Sequence, residues 1–307
     1  MSLYFLGELT LDTIKYSDGT IYEDVMGGAA LYAACGAAIW NDSENNIVVT
    51  IGKGYPAGLF REICNKLKIN TCNVTNKNIP CIKLDIPYDE FQEHKFIPRE
   101  DSGSYEDLCP DMNSVRSIAG NSSVHIATMP LFKQLQFILT LPKAKYVSVD
   151  PSIEDICIEY VSVWKLILEN TDFFLVSKIE ITRFLAVYYG CEEISDKLIF
   201  KFMKDFFIKN LILKLGKAGA KLYTSEKKIY SVNSIINTPI DVTGAGDSFA
   251  GGFIYAVDKF NDPVYALKYA TISSGMIIQK NGVTDLDFVD NKNLINNIAI
   301  IMEEFYE

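Results

Sequence analysis

The chain has 307 residues, of which 49% are hydrophobic and 22% are charged, and its formal net charge is −10 at pH 7. These proportions are typical of a globular protein with a large core, and the length predicts one α/β domain, alone or with a small appendage. Because no run of Lys or Arg offsets the negative charge, we expect no nucleic-acid partner.

Cysteine and histidine usage narrows the class of protein further. Seven cysteines are scattered along the chain without C-x-x-C spacing, which argues against a zinc site or a disulfide framework and favours a cytoplasmic location. The two histidines, His94 and His125, are far apart in sequence, so a histidine-based catalytic triad is disfavoured. The sequence contains neither a signal-peptide pattern nor a segment of membrane-spanning length, and we therefore expect no membrane partner.

The N-terminal part of the sequence contains a carboxylate and a pair of glycines shortly after the first predicted strand. Residues 3–6 form a short apolar run that predicts a buried strand, and Asp12 follows it at the edge where open parallel sheets bind ligands. Residues 13–25 predict a hairpin. Gly27 and Gly28 then precede a helix of small residues and permit close backbone approach. A plain turn at Asp12 and simple packing at the glycines are the alternative explanations.

Alternating strand and helix patterns occupy most of the remaining chain and predict βαβ units in a mostly parallel sheet. The predicted strands are 46–51, 124–127, 146–150, 172–176, 210–215, 221–225 and 228–232, and the predicted helices are 58–67, 131–139, 153–168, 248–257, 263–279 and 294–306. Residues 71–112 interrupt this rhythm with short strands and polar loops. They form either a β-rich excursion from the sheet or a plain surface insertion.

A glycine-rich turn, DVTGAGDSFAGGF from Asp241 to Phe253, runs directly into an apolar helix pattern. Gly244 and Gly246 permit a tight turn and let a ligand reach main-chain N–H groups. Because unpaired amides and the positive end of a helix dipole meet there, the turn predicts an anion site. The P-loop and dinucleotide patterns are both excluded, since no Lys precedes Ser248 and Phe249 replaces the third glycine.

Asp247 lies in the first turn of this predicted helix, where its carboxylate would repel a phosphate. One role that explains the position is acceptance of a proton from a hydroxyl that attacks the phosphate. The helix dipole should then keep Asp247 ionised and a weak base. The alternative is that Asp247 only caps the helix electrostatically.

The thirteen residues from Asp241 to Phe253 closely resemble the C-terminal signature of the ribokinase-like (PfkB-type) carbohydrate kinases. The resemblance implies a three-layer α/β/α sandwich with a mostly parallel sheet, in a single domain over residues 1–307. Segments 12–25 and 71–112 would form a small β lid, which would also serve as a homodimer contact. The implied reaction is ATP-dependent transfer of the γ-phosphate to a hydroxyl of a sugar, sugar-like or polyol acceptor, with Mg²⁺ and, as a further cation, K⁺.

The same resemblance implies a role for each residue that matches a family motif. Asp247 would be the catalytic base beside an anion hole of Gly244, Ala245 and Gly246; Asp12, Gly27, Gly28 and Tyr32 would bind the acceptor; Ser177, Lys214, Gly216 and Gly219 would bind the nucleotide; Glu180 would organise Mg²⁺ through water; Asp241 and Gly282 would adjoin a monovalent cation.

Three of these positions depart from the family pattern. Tyr32 stands where most relatives carry Asn, Ser177 replaces the Asn of an Asn-x-x-Glu element, and Lys214 stands where Thr is usual. The aromatic ring of Tyr32 favours a nucleoside or inositol-like acceptor as an alternative. A catalytically silent protein that binds a sugar or a nucleotide is the alternative outside the enzymes. Taken alone, Glu180 is an ordinary first-turn acid and Gly219 an ordinary hairpin glycine.

Overall fold

A computed structural model describes residues 2–89, 95–236, 238–284, 286–288 and 292–305. The strands are β1 (Ser2–Leu6), β2 (Thr10–Lys15), β3 (Ile21–Gly27), β4 (Glu44–Lys53), β5 (Ile69–Asn70), β6 (Val74–Pro80), β7 (Ile82–Pro87), β8 (Ile97–Pro98), β9 (Ser123–Ile126), β10 (Tyr146–Val149), β11 (Phe173–Ser177), β12 (Asn210–Lys214), β13 (Ala220–Thr224), β14 (Lys228–Val232) and β15 (Ile301–Glu304). The helices are α1 (Ala29–Ala38), α2 (Ala57–Lys66), α3 (Tyr105–Leu108), α4 (Met112–Arg116), α5 (Leu131–Thr140), α6 (Val161–Glu169), α7 (Lys178–Tyr189), α8 (Asp196–Asp205), α9 (Ala245–Phe260), α10 (Pro263–Ile277) and α11 (Lys292–Asn297). Within these ranges no helix combines the length and the apolar character that crossing a bilayer requires.

The large sheet has the strand order β15-β14-β13-β12-β11-β10-β9-β1-β4-β5, with β6 also paired to β4. Its strands from β12 to β5 are parallel, and β13 to β15 add an antiparallel edge. The chain runs outward from β1 to β4 and then in the opposite direction from β9 to β12. Open parallel sheets bind ligands beyond the carboxyl ends of their strands at such a reversal.

Two hydrophobic cores flank this sheet because successive strand side chains point to opposite faces. Leu3 and Phe5 pack in the core that α1, α2, α9 and α10 cover. Tyr4 and Leu6 pack in the core that α5 to α8 cover. The predicted three-layer α/β/α architecture with a mostly parallel sheet is therefore present.

A second, four-stranded sheet with the order β3-β2-β7-β8 has a small core of its own, which includes Ile14 and Ile82. The predicted hairpin over residues 13–25 corresponds to β2 and β3. The segment 71–112 contributes β7 and β8 to this sheet, whereas β6 pairs with β4 of the large sheet. Within the segment 71–112, β6 therefore belongs to the large sheet, and residues 90–94 lie outside the described part of the chain.

Two predicted helices differ from the structure. The expected helix 294–306 is wrong, because α11 ends at Asn297 and residues 301–304 pair antiparallel with β14. The stretch 298–302 is rich in Ile, and β-branched side chains favour a strand that can complete a sheet edge. The helix predicted over 153–168 begins only at Val161. The carbonyl of Asp155 accepts a hydrogen bond from the Trp164 indole and its carboxylate accepts one from the N–H of Leu131, and these contacts hold the preceding residues in short 3₁₀ turns.

Helices α1 and α9 pack backbone against backbone through two glycines. A methyl group on Gly251 of α9 would lie 1.8 Å from the carbonyl oxygen of Ala33 in α1, and one on Gly36 would lie 2.2 Å from the carbonyl oxygen of Ser248. No side chain fits at these distances without movement of the main chain. The contact therefore fixes the first turn of α1 relative to the first turn of α9.

Replacement of Gly251 tests this contact. We expect Gly251→Ala to lower the free energy of unfolding by about 2 kcal/mol or more, because overpacking a close contact typically costs ~1–3 kcal/mol. Urea denaturation followed by circular dichroism measures the change. Gly58→Ala is the matched control: Gly58 lies in α2 with open space around it, so this change should be neutral or stabilise the protein by up to about 1 kcal/mol. Equal midpoints for wild type and Gly251→Ala would contradict the proposed packing role.

Candidate active site

The start of α9 has the features of an anion site. Gly244 occupies the N-cap with φ +73°, and no side chain caps the helix there. The N–H of Ala245 donates to the carbonyl of Val242 at 3.2 Å. Among the described residues, the N–H groups of Gly246 and Asp247 have no hydrogen-bond acceptor. The N–H of Gly244 has no acceptor within the described chain either, so two of the three predicted residues, Gly244 and Gly246, offer free donors together with Asp247 at the positive end of the helix dipole.

Four charged groups converge beside this turn from the carboxyl ends of neighbouring strands. Asp150 follows β10, Glu180 lies in the first turn of α7 after β11, and Lys214 ends β12. The ammonium of Lys214 donates to Oδ1 of Asp150 at 2.6 Å, and a methyl group on Gly246 would lie 3.3 Å from the same nitrogen. Asp247 completes the group, since its pKa responds to the charges of Lys214 and Glu180.

Burial dominates the acid–base behaviour of these carboxylates. It raises the pKa of Asp247, although the charge of Lys214 opposes the shift. It raises the pKa of Glu180 in the same way, and it raises the pKa of Asp150 to about 6 against the opposing charge of Lys214. The expectation that the helix dipole keeps Asp247 a weak base is therefore wrong in direction. Enclosure makes Asp247 a stronger proton acceptor, which is closer to what general-base chemistry needs.

Ser177 and Glu180 form a capping box at the start of α7. The N–H of Glu180 donates to Oγ of Ser177 at 3.2 Å, and the N–H of Ser177 donates to Oε2 of Glu180 at 2.6 Å. Ser177 thus caps a helix in place of the Asn that relatives carry. One carboxylate oxygen of Glu180 serves this ordinary first-turn role, and its charge still contributes to the cluster around Lys214.

A loop with two left-handed glycines follows Lys214. Gly216 has φ +57° and faces open space, whereas Gly219 has φ +89° and a methyl group on it would lie 1.9 Å from the carbonyl oxygen of Val232. Packing against β14 explains why residue 219 is glycine, as the hairpin alternative expected. Gly216 is the one of the two whose open surroundings suit the approach of a ligand.

Asp12 lies inside strand β2 rather than in a loop, against the glycine pair that precedes α1. A methyl group on Gly27 would lie 2.1 Å from Oδ2 of Asp12. Gly28 has φ +110°, and a methyl group on it would lie 2.3 Å from the carbonyl oxygen of Glu8. Asp12 is 3% exposed, and within the described chain its Oδ1 has no hydrogen-bond partner. Burial, reinforced by the charge of Asp241, raises its pKa to about 7.

The ring of Tyr32 connects the predicted acceptor motif with the anion turn. A methyl group on Gly244 would lie 2.2 Å from Cγ and Cδ1 of Tyr32, so the ring lies flat against that glycine. Burial raises the pKa of the Tyr32 hydroxyl, and the charges of Asp12, Asp241 and Asp247 raise it further. That hydroxyl is buried and has no hydrogen-bond partner among the described residues.

Two tyrosines that the sequence did not single out reach the same place, Tyr16 directly after β2 and Tyr88 directly after β7. The hydroxyl of Tyr88 hydrogen-bonds with that of Thr243 at 2.6 Å and donates to Oδ1 of Asp241 at 3.3 Å. The rings of Tyr16 and Tyr88 stack with their centroids 5.2 Å apart. Neither tyrosine belongs to a motif, and only the packing of the four-stranded sheet against the turn brings them to it.

The predicted cation residues are only partly brought together. Asp241 accepts a hydrogen bond from the N–H of Thr243 at 2.9 Å through Oδ1, and its buried Oδ2 has no partner in the described chain. Gly282 has φ +69°, and a methyl group on it would lie 3.2 Å from Val25 of the lid. Among the described residues, no three His, Cys, Asp or Glu side chains lie close enough together to hold a metal ion by themselves.

The buried carboxyl of Asp12 gives a test by pH. Because its pKa is near 7 in the folded protein and 3.8 without the fold, it stabilises the fold fully below the lower value and loses that contribution as the pH rises through 7. We expect Asp12→Asn to flatten this decline, by at most about 4 kcal/mol in total. Urea denaturation between about pH 4 and 8 measures the free energy of unfolding at each pH. Glu23→Gln, an exposed position in the same sheet, is the control that removes the same charge. Parallel profiles for wild type and Asp12→Asn would refute the shift.

Comparisons with known proteins extend these observations. A family model for the pfkB family carbohydrate kinases matches residues 3–288. The cytidine kinase of Thermococcus kodakarensis is 24% identical over 261 residues, which cover 83% of this chain and 87% of that protein. Among solved structures, the nucleoside kinase of Methanocaldococcus jannaschii, an archaeal member of the ribokinase family, is similar at a TM-score of 0.74 with 21% identity, over 96% of this chain and 98% of that one.

The fructokinase of Vibrio cholerae O395, solved with fructose, ADP and calcium ion, is similar at a TM-score of 0.73 with 17% identity, over 92% of this chain and 94% of that one. At such identities the solved structures establish the fold, and they confirm the ribokinase-like architecture. The family model covers nearly the whole chain, and the protein therefore belongs to the pfkB family of carbohydrate kinases, phosphotransferases that act on an alcohol group.

Proposed function

We propose that this protein transfers the γ-phosphate of ATP to a hydroxyl of a small sugar or sugar-like acceptor, as one kinase unit over residues 1–307 with the β2-β3-β7-β8 sheet as its lid. The observation that carries the proposal is the contact of Tyr32 with Gly244. This contact supports the proposal because it links the region of Asp12, where we place the acceptor, with the start of α9, where we place the anion. Both sites present buried polar atoms that lack partners within the described residues.

Most of the predicted residues then have a physical role in the transfer, whereas Ser177 caps α7 and Gly219 packs against β14. Asp12, with Gly27 and Gly28 beside it, orients the acceptor. Asp247 takes the proton of the attacking hydroxyl, and its raised pKa suits that step. The turn of Gly244, Ala245 and Gly246, with the free N–H groups of Gly246 and Asp247, stabilises the charge on the transferring phosphoryl group. Gly216 gives the nucleotide access to the backbone beyond β12.

The carboxylates near the phosphate site fit a magnesium ion held mainly by phosphate oxygens and water. Asp150 has a buried Oδ2 without a partner in the described chain, and Glu180 lies in the same cluster. We infer that these two would orient the water ligands of Mg²⁺, which retains several waters in such sites. When bound, the ion would neutralise phosphate charge. The unpartnered Oδ2 of Asp241 likewise suits a monovalent cation such as K⁺.

A nucleoside acceptor is the second candidate, and the aromatic groups of the site favour it. The ring of Tyr16 is only partly buried and stacks on the buried ring of Tyr88, so it offers a flat apolar surface, which suits a planar base better than a sugar alone. On the outer edge of the lid, Ile21 and Tyr22 are exposed. This exposure supports the proposed homodimer contact through the lid.

Replacement of the proposed base tests the reaction. We expect Asp247→Asn to lower kcat by about 10²–10⁴, the usual contribution of a positioned general base, while nucleotide affinity changes little. The assay couples ADP release to a panel of pentoses, hexoses, nucleosides and inositols. Asp262→Asn makes the same chemical change at the N-cap of α10, where Asn caps equally well, and should keep full activity. Wild-type turnover in Asp247→Asn would contradict the mechanism. Melting shifts without turnover in the wild type would favour a silent binding protein.

The buried hydroxyl of Tyr32 gives a test with opposite effects on stability and binding. Tyr32→Phe keeps the ring on Gly244 but removes an unpartnered polar group, so the ligand-free protein should gain about 1 kcal/mol of stability. If the hydroxyl binds the acceptor, the KM for that acceptor should rise roughly tenfold. Tyr223→Phe is the control, since its hydroxyl donates to Asp196 at 2.7 Å; it should lose stability and leave the acceptor KM unchanged. An unchanged acceptor KM in Tyr32→Phe would exclude the contact.

A further inference from the structure

Lys214 occupies an unusual place for a lysine. It is the last residue of β12 and lies in register with Ser177, the last residue of the parallel strand β11. Its side chain is 15% exposed and that of its partner Asp150 is 2% exposed. Burial of an ammonium is costly unless its charge and its donors are used. The ion pair with Asp150 uses only one of the hydrogen-bond donors of the Lys214 ammonium.

The remaining donors of Lys214 face the anion turn. An ammonium carries three N–H donors, and within the described residues Lys214 donates one hydrogen bond, to Oδ1 of Asp150. A methyl group on Gly246 would lie 3.3 Å from the same nitrogen. Two unused donors of a fixed cation therefore lie beside the free N–H groups of Gly246 and Asp247. Together these groups surround one location for a bound anion.

A phosphate group could bind among the carboxylates at this location only if a cation offset their negative charge. Asp150, Glu180 and Asp247 would repel a polyphosphate, and the charge of Lys214 opposes the burial-raised pKa of each one. In return, the nearby carboxylates raise the pKa of Lys214 and outweigh its burial, so it stays charged. A compact ammonium of this kind is well suited to bind a phosphate oxygen.

We propose that the ammonium of Lys214 binds the terminal phosphoryl group of the nucleotide donor, together with the main-chain N–H groups of Gly246 and Asp247. This inference rests on the proposed function. It assigns to Lys214 a charged contact with the phosphate, which the neutral Thr usual at this position cannot make. In the transfer, the acceptor oxygen bonds to the γ-phosphorus and the bond from that phosphorus to the bridging oxygen breaks. The electron pair leaves with ADP, the hydroxyl proton goes to Asp247, and Lys214 remains protonated.

The test compares ATP with ADP, because only ATP carries the phosphoryl group in question. We expect Lys214→Met to weaken ATP binding about 10- to 100-fold, the range of a hydrogen bond to a charged group, and to leave ADP binding within about twofold. Lys214→Arg, which retains the charge, should recover part of the loss. Isothermal titration calorimetry without acceptor and at constant Mg²⁺ measures both affinities. The matched control is Lys209→Met, at the opposite end of β12, whose ammonium pairs with Asp172 at 2.8 Å on the surface; it should change neither affinity.

A double variant guards against loss of the fold, since Lys214→Met leaves Asp150 buried without its cation. Lys214→Met/Asp150→Asn removes both charges and should show the same selective loss of ATP affinity. Equal weakening of ATP and ADP, or an unchanged ATP affinity, in the folded variants would overturn the inference and leave Lys214 as the partner of Asp150 alone. Turnover separates the two claims. If the wild type phosphorylates no acceptor but loses ATP selectivity on Lys214→Met, the proposed reaction fails and the Lys214 contact stands.

Discussion

The site depends on one contact, the approach of helix α1 to helix α9 without intervening side chains. Gly36 and Gly251 let the two backbones meet, and this places Tyr32 of α1 against Gly244 at the start of α9. Residues more than two hundred positions apart thereby lie side by side at the carboxyl edge of the sheet. A larger side chain at either glycine would separate the acceptor motif from the anion turn, whatever the residues of each motif were.

Electrostatics divides this region into two parts. On one side, three carboxylates lie around the ammonium of Lys214, so that a phosphate group bound there would meet both a cation and free amides. On the other, Asp12 and Tyr32 are buried with polar atoms that no described residue satisfies. Buried polar groups are rarely left unpaired in a protein that works without a ligand. These unsatisfied atoms are the physical basis for proposing both parts as binding sites.

Local sequence was sufficient for some of this picture and insufficient for the rest. The glycine turn at the start of α9 could be predicted because its glycines and the apolar helix pattern are adjacent in the sequence. The direction of the Asp247 pKa shift could not, because burial by distant segments outweighs the local dipole. Tyr88 reaches Thr243 only through the fold of the small four-stranded sheet, and strand β15 (Ile301–Glu304) forms only because β14 offers an edge. Each of these outcomes depends on tertiary contacts that no local pattern encodes.

The central claim is that the late glycine turn and the N-terminal aspartate act on one reacting pair of molecules. A crystal structure with ADP, an acceptor and a metal fluoride that mimics the transferring phosphoryl group would test it most directly. The account predicts a carboxylate oxygen of Asp247 within about 3 Å of the attacking hydroxyl, the N–H groups of Gly246 and Asp247 on the fluoride, and Asp12 on another hydroxyl of the acceptor. An acceptor bound away from Asp247, or a fluoride that does not contact the start of α9, would contradict it.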